Sequence, residues 1–259
     1  GMETLISQPC RKITVGTVQM DSCRRNNPIK ATRARAKDIP IPAGETRPPG
    51  FVVVEGPIGI GKTNLAQKLS EAYGSDLLLE RPEENPFLER FYQARKHFAL
   101  PTQLFFLFQR VRQLQEWKQR DLFRPTRIAD FLLEKDSLFA RINLDDDEHR
   151  LYQQVYAQLS LDLPVPDLVI YLQAPAAVLM ERIRRRGVAF ERLIERDYLE
   201  NLVEAYTQFF YHYTAAPLLV VNAADINFVD SAADFQSLLE HIRSIRSGRH
   251  FFNPLPAQL

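Results

Sequence analysis

Gly56-Pro-Ile-Gly-Ile-Gly-Lys-Thr63 decides the fold, because its spacing is Gly-x-x-x-x-Gly-Lys-[Ser/Thr]. It follows a β-branched run, Phe51-Val-Val-Val-Glu55, that is typical of a buried strand, and it precedes a segment, 63–73, with apolar residues at helical spacing. In such a strand–loop–helix unit, the backbone N–H groups of the loop and the N-terminus of the helix surround phosphate oxygens. The stretch therefore predicts a loop that binds the phosphates of a nucleoside triphosphate.

Two side chains of this loop have separate predicted roles. Lys62 would reach the β- and γ-phosphates, and Thr63 would ligate Mg²⁺. The sequence has no Asn-Lys-x-Asp guanine signature, which counts against a GTPase, and Asp130 is a single acid where mechanical ATPases usually carry an Asp-Glu pair. A small kinase that uses ATP and Mg²⁺ fits these features best. The predicted ATP-binding residues are Gly56, Pro57, Ile58, Gly59, Ile60, Gly61, Lys62 and Thr63.

Composition excludes several other classes of protein. The chain has 259 residues, of which 45% are hydrophobic and 25% charged, as in ordinary globular proteins. No apolar run reaches the roughly 18 residues of a membrane span. The histidines lack metal-ligand spacing, and no Gly-x-Ser-x-Gly elbow occurs. We therefore expect a globular protein without a membrane span, a zinc site or serine-hydrolase chemistry.

The first fifty residues differ from the rest of the chain. They hold nine Lys/Arg against four Asp/Glu and contain no Phe, Trp or Tyr, so they can bury little apolar surface. We expect a basic N-terminal extension at 1–50 and one folded domain at 51–259. A transit peptide is an alternative for the extension, whereas its arginines are too sparse for a nucleic-acid arm. Both cysteines, Cys10 and Cys23, lie in the extension, which suits a reducing, cytoplasmic location.

Strand and helix patterns alternate along the domain, which favours a parallel sheet covered by helices on both faces. Five strands are predicted, at 51–55, 77–80, 126–130, 167–173 and 218–222. The predicted helices are 63–73, 85–120, one that follows Asp130 and runs through Phe139, 148–161, 175–186, 195–213 and 231–246. The sequence therefore indicates one α/β domain with a five-stranded parallel sheet.

Two acidic residues end predicted strands, at the edge where parallel sheets bind ligands. Glu80 can accept a proton from an attacking hydroxyl there, and a helix-capping or surface acid is the alternative interpretation. Asp130 is placed to organise Mg²⁺, with a helix N-cap as its alternative role. The two carboxylates thus predict an acceptor site beside the phosphate-binding loop.

Polar residues on two predicted helices suggest further contacts with substrate. Gln103 and Arg110 are seven apart and share a helix face, about 10 Å apart along the axis, so an amide and a guanidinium could read a base there. An amphipathic core helix with polar outer residues is the alternative, and Asp136 can pair with Arg110. The arginines of the run from Arg182 to Arg186 suit a lid that closes on phosphates, or else a solvated basic face.

From about Phe51 to Phe252, the chain resembles the deoxynucleoside kinase family, especially its bacterial deoxyadenosine and deoxyguanosine kinases. The resemblance rests on ordered motifs: the phosphate-binding loop, Glu80 followed by Asn85-Pro-Phe-Leu88, and the Gln-x6-Arg spacing that ends at Arg110. The other matching residues are Tyr92, Gln103, Asp130, Asp136, Arg182, Arg186 and Glu191.

This resemblance implies a P-loop kinase fold with an Arg-rich lid, assembled as a homodimer. It implies transfer of the ATP γ-phosphate to the 5′-hydroxyl of a deoxynucleoside with a purine or cytosine base. The implied catalytic residues are Glu80, as general base, and Lys62, Arg182 and Arg186, which would stabilise the charge of the phosphoryl group. The implied substrate-binding residues are Tyr92 and Glu191, for the sugar 3′-hydroxyl, and Gln103, Arg110 and Asp136, for the base. Thr63 and Asp130 would organise Mg²⁺.

The sequence also departs from the family pattern at two places. Phe131-Leu132 replaces the Arg-Ser that follows the acid in many members, and Val188 replaces a further lid arginine. The missing arginine would have touched phosphate and helped to hold the general base. Three alternatives therefore stay open: a nucleoside monophosphate kinase with Arg81 or Arg127 on the acceptor phosphate, a non-catalytic nucleotide-binding relative, and an unrelated small-molecule kinase.

Overall fold

A computed structural model describes residues 49–119, 126–160, 162–225, 228 and 231–253. The predicted N-terminal extension and both cysteines lie outside these residues, apart from the last two positions of the extension. The division into an extension and a domain therefore stays a prediction. Among the described residues, no helix is both long enough and apolar enough to cross a bilayer.

The strands form a six-stranded sheet in which every neighbouring pair is parallel. The strands are β1 (Phe51–Glu55), β2 (Asp76–Leu78), β3 (Arg127–Ala129), β4 (Leu168–Gln173), β5 (Leu218–Asn222) and β6 (Arg249–Phe252). Their order is β2-β3-β1-β4-β5-β6. The predicted fold class is confirmed, but the prediction of five strands was wrong. β6 escaped it because an edge strand whose Phe251 is 67% exposed lacks the continuous apolar run of the buried strands.

Helices cover the sheet and account for most of the predicted helical segments. They are α1 (Lys62–Tyr73), α2 (Leu88–Gln93), α3 (Arg95–Gln119), α4 (Lys135–Asn143), α5 (Asp146–Leu159), α6 (Ala176–Arg186), α7 (Arg196–His212) and α8 (Ala232–Ser244). Short 3₁₀ helices form at Pro82–Glu84 and Phe190–Leu193.

The single helix predicted at 85–120 was wrong, because the backbone turns twice in its first third. Asn85 is extended, with a ψ of 106°, since the residue before a proline is pushed out of the helical region. Ala94 then leaves the helical region as well, with φ −142° and ψ 69°, and separates α2 from α3. The result is a short α2 packed against the long α3, which together form one wall of a cleft.

The strand order brings the two predicted acidic positions to the phosphate-binding loop. β2, β3 and β1 are adjacent and run in the same direction, so their carboxyl ends lie at the same edge of the sheet. Glu80 follows β2, Asp130 follows β3, and the loop from Gly56 to Gly61 follows β1. Ligands bind at this edge in open parallel sheets, so the fold places the predicted donor and acceptor residues side by side.

Candidate active site

The phosphate-binding loop is shaped by close backbone approaches at two glycines. A Cβ atom at Gly56 would lie 2.6 Å from the carbonyl oxygen of Leu172 in β4, and one at Gly59 would lie 2.8 Å from Ile183 Cγ1 in α6. Gly59 also has a φ of 84°, a conformation that residues with a side chain rarely adopt. The loop therefore needs glycine at both positions to pass between the sheet and α6 and to enter α1.

Asp130 connects this loop to the end of β2. The Thr63 hydroxyl donates to Asp130 Oδ2 at 2.6 Å, and the backbone N–H of Glu80 donates to Asp130 Oδ1 at 2.7 Å. Burial raises the pKa of Asp130. Because α4 begins only at Lys135, Asp130 does not cap that helix, in contrast to the alternative interpretation.

The oxygen atoms of Thr63 and Asp130 form a donor set that fits Mg²⁺. Mg²⁺ prefers oxygen ligands and is usually held by one or two carboxylates together with substrate phosphates and water. No group of three or more His, Cys, Asp or Glu side chains in the described part of the chain could hold a metal ion without such help. Mg²⁺ would therefore be held here together with the phosphates of ATP.

Arg110 joins the two sides of the predicted acceptor pocket. Its guanidinium forms ion pairs with Glu80 through Nη2 and with Asp136 through Nη1. Gln103 lies seven residues earlier on the same face of α3 and donates from Nε2 to the backbone oxygen of Asp136 at 3.1 Å. Gln103 is 5% exposed and Arg110 4%, so both face inward and are not the outer residues of an amphipathic helix.

Glu80 is surrounded by positive charge. Its burial acts to raise the pKa, but the charges of Arg110, Lys135 and Lys62 outweigh this effect and hold the pKa of the carboxyl well below its usual range. Glu80 is therefore ionised at neutral pH and able to accept a hydrogen bond from a hydroxyl group.

Sequence reasoning missed two charged residues of this site, Lys135 and Glu55. Lys135 Nζ lies 3.4 Å from Glu80 Oε2 and 3.3 Å from Glu55 Oε2. Both residues come directly after or close to an apolar stretch of the sequence. Glu55 ends the buried β1, and Lys135 begins α4 shortly after Phe131-Leu-Leu133. A charged residue that interrupts such a run was the signal that could have identified them.

The predicted lid residues divide into two groups. Arg186 forms an ion pair with Glu191, with Nε 3.1 Å from Glu191 Oε2, and both residues line the cleft. Tyr92 stacks on Phe190 beside them, with ring centroids 6.2 Å apart. Arg182 instead donates to the carbonyl oxygens of Ala223 and Ala224 after β5 at 2.7 and 3.0 Å. Its predicted contact with phosphate stays a prediction.

One cleft contains most of the predicted site residues. Aromatic rings from several helices surround its polar groups, among them Phe91, Phe106, Phe139 and Tyr198. The predicted residues that line it are Ile58, Gly59, Lys62, Thr63, Glu80, Tyr92, Gln103, Arg110, Asp130, Arg186 and Glu191. Asp136 lies behind this surface, fully buried against Arg110.

At the two departures from the family pattern, the described residues bring no replacement arginine into the cleft. Phe131 is buried in the core, so its side chain supplies no group to the cleft. Arg184 and Arg185, which could replace an arginine at Val188, are exposed on α6. Neither arginine proposed for an acceptor phosphate lines the cleft: Arg81 pairs with Glu84, and Arg127 stacks over Trp117.

Comparisons with known proteins agree with this geometry. The family model described as deoxynucleoside kinase matches residues 52–246. The chain is 34% identical over 200 residues to the deoxyguanosine kinase of Bacillus subtilis (strain 168), a match that covers 75% of this chain and 97% of that protein. It is 26% identical over 205 residues to the deoxyadenosine kinase of Lactobacillus acidophilus, covering 74% of this chain and 94% of that protein.

Solved structures give the same result. The structure of deoxyadenosine kinase from M. mycoides with bound dATP is similar with a TM-score of 0.65 and 27% sequence identity. The match covers 75% of this chain and 100% of the other. The similarity therefore extends along the whole chain of that solved structure.

Proposed function

The chain belongs to the deoxynucleoside kinase family and phosphorylates deoxynucleosides with ATP. We propose that its preferred acceptors are purine deoxynucleosides, and that 2′-deoxyguanosine is the best of them. The pocket in which Arg110 pairs with Glu80 and Asp136 beside the phosphate-binding loop supports a nucleoside as the acceptor, and the 34% identity to a deoxyguanosine kinase supports guanine as the preferred base. The relatives that match over most of their own length include deoxyguanosine kinases, deoxyadenosine kinases and a deoxyadenosine/deoxycytidine kinase.

On the donor side, the loop from Gly56 to Gly61 would bind the triphosphate with its backbone N–H groups. Lys62 would neutralise charge on the β- and γ-phosphates, and Arg186 would approach the transferred phosphoryl group from α6. Thr63 and Asp130 would hold Mg²⁺, which supplies positive charge to the phosphates when bound. Phosphoryl transfer depends mainly on positioning and electrostatics, so this arrangement provides most of what the reaction needs.

On the acceptor side, Glu80 would accept the proton of the 5′-hydroxyl as that oxygen attacks the γ-phosphorus. Tyr92 and Glu191 would hold the sugar 3′-hydroxyl. Gln103 and Arg110 would bind the base, with Asp136 fixing the orientation of Arg110. Together these groups would contact the 5′-hydroxyl, the 3′-hydroxyl and the base, which would fix the 5′-oxygen relative to the donor phosphate.

The experiment that tests this proposal measures ADP release with Mg-ATP against deoxynucleosides, ribonucleosides and nucleoside monophosphates. We expect turnover with purine deoxynucleosides, with deoxyguanosine giving the highest kcat/KM. A higher kcat/KM for a pyrimidine deoxynucleoside would refute the base preference. Turnover with monophosphates alone, or ATP binding without any turnover, would instead support one of the alternatives raised by the departures at Phe131 and Val188.

We also propose that the chain forms a homodimer and acts in the cytoplasm, as the family resemblance and the cysteine positions suggest. The candidate dimer surface is α7, whose outer face carries Tyr211, an aromatic residue that is 68% exposed. Light scattering after size-exclusion chromatography tests the dimer. A monomeric mass at micromolar concentration would refute it.

A further inference from the structure

The site contains a buried lysine to which neither the sequence motifs nor the comparisons assign a role. We propose that Lys135 is a positioning residue for Glu80, whose ammonium group holds the carboxylate in place for attack by the acceptor hydroxyl. Lys135 is 2% exposed, and its Nζ lies between Glu80 Oε2 at 3.4 Å and Glu55 Oε2 at 3.3 Å. This inference rests on the proposed function, because it assigns Glu80 the acceptor role.

Glu55 provides the fixed end of this arrangement. Its Oε1 accepts hydrogen bonds from the Gly56 N–H at 2.8 Å and the Tyr206 hydroxyl at 3.0 Å. Its Oε2 accepts from the Leu132 N–H at 2.8 Å. A fully buried carboxylate held by three donors has little freedom to move, so Lys135 is anchored to the start of the phosphate-binding loop.

The two cations that contact Glu80 differ in their other partners. Arg110 is shared with Asp136 in the predicted base pocket, so a bound base changes the surroundings of Arg110. Lys135 is shared with Glu55, which belongs to the donor side of the site. Lys135 can therefore keep its contact with Glu80 Oε2 while Arg110 turns to a base and Oε1 becomes available to a hydroxyl.

The charge on Lys135 is also needed to separate two carboxylates. Burial lowers the pKa of Lys135, while the negative charges of Glu55 and Glu80 oppose that shift and favour the ammonium form. Without this ammonium, Glu80 would face the buried charge of Glu55, and like charges at short range in a buried site repel strongly. Lys135 thus supplies, from the first turn of α4, a cation that the buried Phe131 does not provide.

The test is a double-mutant cycle on the full chain with Mg-ATP and deoxyguanosine. The variants are K135M, E80Q and K135M/E80Q. We expect K135M to lower kcat at least about 30-fold while the KM for ATP stays within about threefold, because the donor loop is intact. In the E80Q background we expect K135M to lower kcat by less than about threefold, because its effect acts through the Glu80 carboxylate.

Equal fold-losses from K135M in the two backgrounds would overturn the inference, since a general structural role would give independent effects. So would a K135M enzyme with wild-type kcat. The matched control is K118M, which removes a lysine at the end of α3 that binds Asp162 away from the cleft, and it should keep wild-type kinetics.

One further measurement and one further variant separate effects on folding from effects on function. The rise in Tm on adding ATP shows whether each variant retains its donor site. If K135M does not fold, K135Q replaces it in the cycle, because the amide keeps a hydrogen-bond donor for Glu55 without a charge. If the wild-type protein turns over no nucleoside, the proposed function and this inference both fail, whereas active wild-type and unchanged Lys135 variants overturn this inference alone.

Discussion

The donor and acceptor halves of the site are built in different ways. The donor half is one continuous stretch from Gly56 to Thr63, and its shape depends on backbone conformation and on the absence of side chains at two glycines. The acceptor half is assembled from charged side chains on α3, on α4 and on the segment after β2, which meet through ion pairs at Arg110 and Lys135. A donor site of this kind should fail when a Cβ is added, and an acceptor site of this kind when a charge is removed.

The largest expected effect is the loss of the Glu80 charge. We predict that Glu80→Gln lowers kcat at least about 10²-fold, because the amide cannot accept the proton of the 5′-hydroxyl. Steady-state kinetics with deoxyguanosine would measure this. The KM for ATP should change little, since Gln keeps the shape of the side chain.

A matched control for this substitution is Glu89→Gln on the exposed face of α2, which should have wild-type kinetics. A Glu80→Gln enzyme with near-wild-type kcat would contradict the role of Glu80. The acceptor half would then not depend on the charge of Glu80.

The next largest effect separates the two halves directly. We predict that Arg110→Ala raises the KM for deoxyguanosine about 10- to 100-fold, which corresponds to the roughly 1.5–3 kcal/mol of a hydrogen bond to a charged group. The KM for ATP should stay within about threefold, because Arg110 contacts no residue of the donor loop.

Arg112→Ala is the control on the same helix, since Arg112 is exposed and its Nε forms an ion pair with Glu116 Oε1 at 3.9 Å. It should leave both KM values unchanged. Equal increases in the two KM values for Arg110→Ala would mean that the halves are not independent and that the base pocket lies elsewhere.

The same difference explains how much could be predicted from the sequence. The phosphate-binding loop is local, so its function could be identified from a few consecutive residues, and the strands β1, β4 and β5 could be identified from their continuous apolar runs. Glu80 and Asp130 could be placed because parallel strands end at one edge. The contacts of Lys135 could not be predicted. Lys135 is separated along the chain by 80 positions from Glu55 and by 55 positions from Glu80, and its contacts depend on where α4 begins. The break at Ala94 has no local signal at all.

The third prediction concerns the donor half. We predict that Gly59→Ala raises the KM for ATP about tenfold, because a Cβ there would meet Ile183 Cγ1 at 2.8 Å and the left-handed backbone adds roughly 1–2 kcal/mol of strain. The KM for deoxyguanosine should not change. Isothermal titration with a non-hydrolysable ATP analogue would measure the same loss without turnover.

Gly74→Ala is the control for backbone strain. Gly74 has a φ of 58° at the end of α1, and a Cβ there would meet nothing within 4 Å. We expect a lower Tm and an unchanged KM for ATP. If both alanine variants bind ATP like the wild type, close approach at Gly59 is not what shapes the loop.

The smallest expected effect on activity is at Tyr206, whose hydroxyl contacts Glu55 between the donor and acceptor halves. Tyr206→Phe removes the hydroxyl that donates to Glu55, but Glu55 keeps its bonds from Gly56, Leu132 and Lys135. We predict that kcat stays within about threefold, while the free energy of unfolding falls by about 1.5–3 kcal/mol for a lost bond to a charged group. Urea unfolding at neutral pH measures the second change.

The same variant has a characteristic dependence on pH. Burial raises the pKa of Tyr206 well above its ordinary value of 10.0, so above that pH the hydroxyl ionises in the unfolded chain before it does so in the folded one. Stability from this group is therefore complete below pH 10.0 and is lost as the pH rises further. The stability of Tyr206→Phe should fall less steeply than that of the wild type in this range. If stability falls equally with pH in the two proteins, Tyr206 ionises equally in the folded and unfolded states. The contact between Tyr206 and Glu55 would then be open to water.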